Sequence, residues 1–181
     1  MSTKIAVIGS HSTGKTSLAN KLLDYLSAKG ADVAFIPEIV RECPFPVNED
    51  TTIQAQEWVL RTQINREKAL ENHSFIVCDR SVLDNYMYLF RRLLNDHSEL
   101  HSTMIEHLST YDYLFLTRIC EEKIPEDGFR STNSMFREDI EVALLEKVNE
   151  LKPMFAKNNV KFHSITSFDE IKAVVKNLVN P

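Results

Sequence analysis

The sequence predicts an α/β fold built on a parallel sheet, and three observations carry that prediction. Five short hydrophobic segments rich in β-branched and aromatic residues recur along the chain, alternating with segments of helical periodicity. The first strand and the first helix are joined by the octapeptide Gly9-Ser10-His11-Ser12-Thr13-Gly14-Lys15-Thr16. Only four glycines occur in 181 residues, and two of them hold the fixed positions of that octapeptide.

Lys4-Ile5-Ala6-Val7-Ile8 reads as a short buried strand. Leu18, Leu22 and Leu26 then recur at helical spacing, and Gly30 supplies a C-terminal cap. Asp32 to Ile36 reads as a second strand, stopped by Pro37, and Cys43-Pro44-Phe45-Pro46 cannot be regular helix. A long helix is expected from near Asp50 to near Asn72. Ser74 to Asp79 is a third strand ending in a carboxylate. Ser81 and Asp84 form a capping pattern that opens a helix carrying Leu83, Tyr86, Met87, Phe90 and Leu94. A helix through Met104 and Leu108 leads to a fourth strand, Tyr113 to Thr117. The pattern is polar and irregular from Arg118 to about Asn133, with Asp127-Gly128 as a turn former. A helix with Ile140, Leu144, Val148 and Leu151 is expected to end near Pro153. Val160 to Ile165 is a fifth strand, and a Ser167/Glu170 capping box opens the last helix. No repeat, linker or low-complexity tract interrupts the chain, so residues 1–181 read as one domain.

The octapeptide fits G-x-x-x-x-G-K-[ST], the phosphate-binding loop. Its strand–loop–helix context is the order the mechanism requires, because successive backbone N–H groups and a helix N-terminus then converge on an anion. Lys15 adds a mobile positive charge, the Thr16 hydroxyl suits Mg²⁺, and Ser17 extends the cradle. His11 is expected to offer its backbone N–H rather than its imidazole. A bound nucleoside triphosphate, taken as ATP, is the expectation.

Composition narrows the classes further. The formal net charge of −5 argues against a broad nucleic-acid-binding face. No apolar run approaches the roughly 20 residues that span a bilayer, and the N-terminal stretch lacks the apolar core of a signal peptide, so a cytoplasmic protein is expected. Cys43, Cys78 and Cys120 are widely spaced and read as reduced thiols. An N-K-x-D guanine signature is absent, since Asn20-Lys21-Leu22-Leu23 lacks the aspartate.

Taken with Pro37-Glu38…Arg41, Asp79-Arg80-Ser81 and Asp127-Gly128-Phe129-Arg130, the loop resembles P-loop nucleoside and nucleotide kinases. The nearest resemblance is to the small group that includes bacterial nicotinamide riboside kinase domains, often classed broadly with AAA-type ATPases. The resemblance runs in order over nearly the whole chain. It implies a three-layer P-loop NTPase fold with strand order 2-3-1-4-5 and a small arginine-bearing lid at about 118–133. It further implies that Glu38 is the general base that orients the acceptor hydroxyl, and that Arg80 steadies phosphoryl oxygens. Arg130, helped by Arg118 and Arg137, would close over the triphosphate. Thr16 and Asp79 would hold Mg²⁺. On the long helix, Gln54, Trp58, Arg61 and Asn65 share one face, a candidate platform for the acceptor.

The expected activity is an ATP- and Mg²⁺-dependent phosphotransferase acting on a small nucleoside or nucleotide acceptor. The rival is a nucleotide-binding regulatory switch or slow ATPase with a protein partner. Oligomeric state stays open, a homodimer among the options.

Overall fold

The computed structural model describes residues 2–47, 50–93, 98–118 and 134–179. Five strands, β1 (Thr3–Ile8), β2 (Val33–Ile36), β3 (Phe75–Asp79), β4 (Tyr113–Thr117) and β5 (Lys161–Ile165), form one parallel sheet in the order β2-β3-β1-β4-β5. This is the expected order, and it sets β1 at the centre with β3 and β4 on either side. Among the described residues, six α-helices connect and cover the strands: α1 (Lys15–Ala28), α2 (Ile53–Ala69), α3 (Val82–Leu93), α4 (Ser98–Leu108), α5 (Ser134–Lys157) and α6 (Phe168–Val179).

The period-2 alternation of strand side chains divides the core into two layers. Ala6, Ile8, Ile76, Cys78, Leu114 and Leu116 face α2 to α5, while Ile5, Val7, Phe75, Val77, Tyr113 and Phe115 face α1 and α6. Strands buried on both faces are apolar along most of their length, which is why Ile5–Ile8, Phe75–Cys78 and Tyr113–Leu116 read as unbroken hydrophobic runs. The buried Lys4, Asp79 and Thr117 at their ends have polar partners.

Several boundaries differ from expectation. The long helix starts at Ile53 rather than Asp50, because the Thr52 hydroxyl caps it by accepting the Ala55 N–H at 3.2 Å. The helix expected to end near Pro153 continues through that proline to Lys157. Proline removes one N–H, but Phe155 beyond it is buried and stacks on Phe162 of β5 at 6.1 Å, which holds the last turn in place. A short 3-10 turn at Ile39–Glu42 was not foreseen. Gly30 closes α1 in the left-handed region (φ 77°), its N–H donating to Ser27 O at 2.9 Å. Cys78 is buried and Cys43 half-buried, both free thiols. Leu94, Cys120, the Asp127-Gly128-Phe129-Arg130 motif, nearly all of the expected lid and the Phe90 side chain lie outside the description.

One buried charge underpins the sheet's α2–α4 side. Glu67 of α2 is fully buried and accepts from Lys4 Nζ (2.9 Å), His107 Nε2 (2.7 Å), Gln63 Nε2 (2.7 Å) and the Tyr111 hydroxyl (2.5 Å). The Tyr111 oxygen also accepts the Val82 N–H at 3.4 Å. This network therefore reaches the loop that leaves β3, where the site begins.

Candidate active site

The site lies at the C-terminal ends of β1 and β3, where a doubly wound sheet opens a crevice. Gly9 leaves β1 with φ 145° and passes against Thr117 at the end of β4. A Cβ there would stand 2.5 Å from Thr117 Oγ1 and 2.8 Å from its carbonyl oxygen, so only glycine fits. The Thr117 hydroxyl is itself held, 3.1 Å from Ile8 O and 2.6 Å from Thr13 Oγ1. Ser12 and Gly14 take the left-handed conformation (φ 58° and 79°), which curls the loop. Gly14 is the N-cap of α1 and offers no side chain to it, so the first N–H groups of that helix remain for an anion.

Lys15 is 5% exposed and its Nζ donates to Ser10 O. Burial, reinforced by the nearby Arg80 charge, lowers its pKa to about 7, against partial support from Asp84, Glu38 and Asp79. The Thr16 hydroxyl donates to Asp79 Oδ2 at 2.6 Å, and Asp79 Oδ1 is buried without a hydrogen-bond partner among the described residues. Burial raises the Asp79 pKa despite the Thr16 bond. An all-oxygen pair with one unspent, buried carboxylate oxygen fits a hard divalent cation such as Mg²⁺.

Arg80 follows β3 with φ 88°, uncommon for a residue with a side chain. That turn carries its guanidinium inward, where Nε donates to Glu38 Oε1 at 2.7 Å and the group lies 5.2 Å from the Tyr88 ring centroid. Arg41 Nε donates to the other Glu38 oxygen at 2.8 Å. Burial alone would raise the Glu38 pKa, but Arg80, Lys15 and Arg41 outweigh it and hold it at about 2. Phosphate loop and acid–arginine pair share one cavity of about 250 Å³, lined by residues Ser12 to Ser17 with Glu38 and Arg80.

The other expected residues are distributed differently. Arg118 is half-exposed and its Nε donates to Glu141 Oε1 at 2.8 Å. Arg137 is buried, and its Nε and Nη1 have no hydrogen-bond partner among the described residues. Arg130 lies outside the description. On α2, Gln54, Arg61 and Asn65 are exposed, and Arg61 pairs with Glu57 (2.8 Å) and Glu99 (3.4 Å). Trp58 packs half-buried against the core. That face points away from α2's buried stripe of Ala55, Gln56, Val59, Leu60, Gln63, Ile64 and Glu67.

Two site residues escaped the sequence reading. Asp84 caps α3 as expected, Oδ2 accepting the Ser81 N–H (2.9 Å) and hydroxyl (3.0 Å). Its Oδ1 accepts the Gly9 N–H at 2.8 Å, tying the start of the phosphate loop to α3. The Tyr88 hydroxyl accepts the His11 N–H at 3.1 Å and lies 3.2 Å from His11 Nδ1, so both groups of His11 are engaged. Tyr88 follows Asp84 by one helical turn, and that spacing was the available signal.

Residues 4–162 match a family model described as an AAA domain. The chain belongs to that family. No curated protein sequence matches this AAA-domain protein significantly. Its fold resembles a deoxyadenosine kinase from M. mycoides, solved with dCMP and dCDP, at TM-score 0.65 and 16% identity over 98% of each chain. It also resembles a thymidylate kinase from Ehrlichia chaffeensis, at TM-score 0.67 and 18% identity over 98% of each chain. A thymidylate kinase from Candida albicans matches at TM-score 0.62 and 15% identity, over 99% of this chain and 91% of that one. The AAA-domain protein thus has the fold of P-loop nucleoside and nucleotide kinases.

Proposed function

We propose that the protein is a Mg²⁺-dependent phosphotransferase that moves the γ-phosphoryl of ATP to a small acceptor of the nucleoside or nucleotide class. The observation that carries this reading is the shared cavity, in which Lys15 and the loop face Glu38 and Arg80. A site that only senses nucleotide has no need of a buried acid–arginine pair beside the loop, and this favours transfer over a switch. The deoxyadenosine and thymidylate kinases of like fold add weight on the acceptor class.

Phosphoryl transfer asks the protein for alignment and positive charge more than for covalent chemistry. The loop N–H groups and Lys15 hold the β- and γ-phosphate oxygens, and the excess charge draws a proton back onto the lysine. Thr16 and Asp79 would hold Mg²⁺, which supplies charge neutralisation across the phosphates. Glu38 orients the acceptor hydroxyl and takes up its proton, while Arg80 steadies the transferring oxygens. A carboxylate held near 2 is a weak base, so its main task is orientation, which suits a loose transition state. Arg137, with buried donors that lack partners among the described residues, is assigned to phosphate oxygens together with Arg118 and Arg130. Residues 118–133 are assigned as the lid of a single domain.

The test is an acceptor screen with γ-labelled ATP and Mg²⁺ against nucleosides, nucleoside monophosphates and nicotinamide riboside. Label transfer to one of these is expected. Label released only to water, at one rate whatever is added, would sink the reading.

A further inference from the structure

The Tyr88 side chain touches three separate parts of the site. Its hydroxyl meets His11 in the middle of the phosphate loop, accepting the backbone N–H at 3.1 Å and lying 3.2 Å from Nδ1. Its ring carries the Arg80 guanidinium, 5.2 Å from the centroid. Phe136, at the start of α5, packs edge-on against that ring at 5.9 Å and lies tilted against the His11 ring at 6.0 Å. We propose that Tyr88 is a positioning residue for both halves of the site, its hydroxyl ordering the phosphate loop and its ring, together with that hydroxyl, seating Arg80.

The chemistry of the side chain suits both tasks. A phenolic oxygen accepts and donates at once, so it can serve the His11 N–H and Nδ1 together, which fixes loop backbone and imidazole. An aromatic face steadies a cation without cancelling its charge. Arg80 already has a carboxylate partner in Glu38 at 2.7 Å. A second acid in place of the ring would draw the guanidinium away from phosphate oxygens. Asp84, one turn earlier on α3, holds the Gly9 N–H. The two side chains thus grip the loop at Gly9 and His11 from a single helix.

This inference rests on the phosphate-loop assignment but not on transfer to an acceptor, and the experiment keeps the two apart. Mg·ATP binding is measured by calorimetry on the full chain for wild type, Tyr88→Phe and Tyr88→Leu. Arg80 reactivity towards phenylglyoxal is followed in the same proteins by mass spectrometry. Tyr88→Phe keeps the ring and loses the hydroxyl, which also hydrogen-bonds Arg80; it is expected to bind ATP at least fivefold more weakly and to label Arg80 at a rate between those of wild type and Tyr88→Leu. Tyr88→Leu loses both; it is expected to weaken ATP binding similarly and to label Arg80 at least fivefold faster. Should Tyr88→Leu melt below the assay temperature, Tyr88→Met carries the same comparison. ATP affinity within twofold of wild type in Tyr88→Phe overturns the hydroxyl's role. Arg80 labelling no faster in Tyr88→Leu than in Tyr88→Phe overturns the ring's. A failed acceptor screen leaves both measurements in force.

Discussion

Replacing Glu38 by glutamine tests the acid–arginine pair at the level of stability and of rate. The substitution keeps the shape of the side chain but removes its charge, and the amide's one oxygen cannot serve both Arg80 Nε and Arg41 Nε, which now donate to separate carboxylate oxygens. Arg80 is 6% exposed, so its guanidinium would be left as a buried charge without its direct counter-ion. Holding Glu38 at about 2 rather than its ordinary 4.5 corresponds to about 3 kcal/mol of stabilisation at neutral pH. Breaking one side of a buried pair typically costs about 3 to 5 kcal/mol, so the two routes agree. In a chain of this length that is a fall in melting temperature of about 6 to 12 °C.

The sign with pH follows from the depressed pKa. Stability from Glu38 is fully present above pH 4.5 and is lost as pH falls from there through about 2. The melting-temperature gap between wild type and Glu38→Gln should therefore be widest at neutral pH and close in acid. With the acceptor and Arg80 no longer held in place, acceptor-dependent turnover should drop about a hundredfold, while calorimetry finds ATP affinity changed far less. A variant that melts within about 2 °C of wild type at pH 7 would refute the reasoning, because Arg80 would then not depend on Glu38.

Burial holds Lys15 at about 7, so above that pH the empty loop has lost its ammonium and ATP must restore it; calorimetry in buffers of differing ionisation heat should detect close to one proton taken up per ATP at pH 8 to 9, with affinity falling about tenfold per pH unit, and no uptake would contradict the lysine's place. Asp79→Asn should raise the Mg²⁺ concentration for half-maximal rate by about tenfold or more; an unchanged titration would leave Asp79 a partner of Thr16 only. Gly9→Ala should lose nucleotide binding and at least about 2 kcal/mol of stability, because its Cβ meets a Thr117 hydroxyl that is already tethered on two sides; a variant that denatures at the wild-type urea midpoint would count against that close approach.

The parts legible in the sequence were those set by local pattern. Strands buried on both faces leave unbroken apolar runs, so β1, β3 and β4 were visible at once, and the loop announced itself through two fixed glycines and Lys15. The Thr16–Asp79 pair followed because both ends stand at known points of the strand–loop–helix unit. What stayed hidden depends on packing between distant segments. Asp84 looked like a cap and no more, since Gly9, its second partner, is 75 residues away. The i, i+4, i+7, i+11 pattern on α2 correctly grouped Gln54, Trp58, Arg61 and Asn65, but periodicity does not say whether a face turns to the cavity or to solvent. Pro153 was read by its local cost, and the Phe155–Phe162 stack that offsets this cost is a tertiary contact.

The charges around the cavity also explain why a site for a polyanion can be stable when empty. Glu38 is committed to Arg80 and Arg41, and Asp84 to the N–H groups of Gly9 and Ser81. Asp79 has one oxygen on Thr16 and one without a partner among the described residues. Lys15, held at about 7, carries only part of a charge at neutral pH. The empty site therefore avoids the large self-repulsion that a preformed cluster of cations would impose on the fold. In the proposed reaction it would gain charge as ligand arrives, a proton on Lys15 and a metal beside Asp79, each supplied when the triphosphate can neutralise it. Burial, which depresses the lysine in the ligand-free loop, would then strengthen its attraction for phosphate oxygens once water has been excluded.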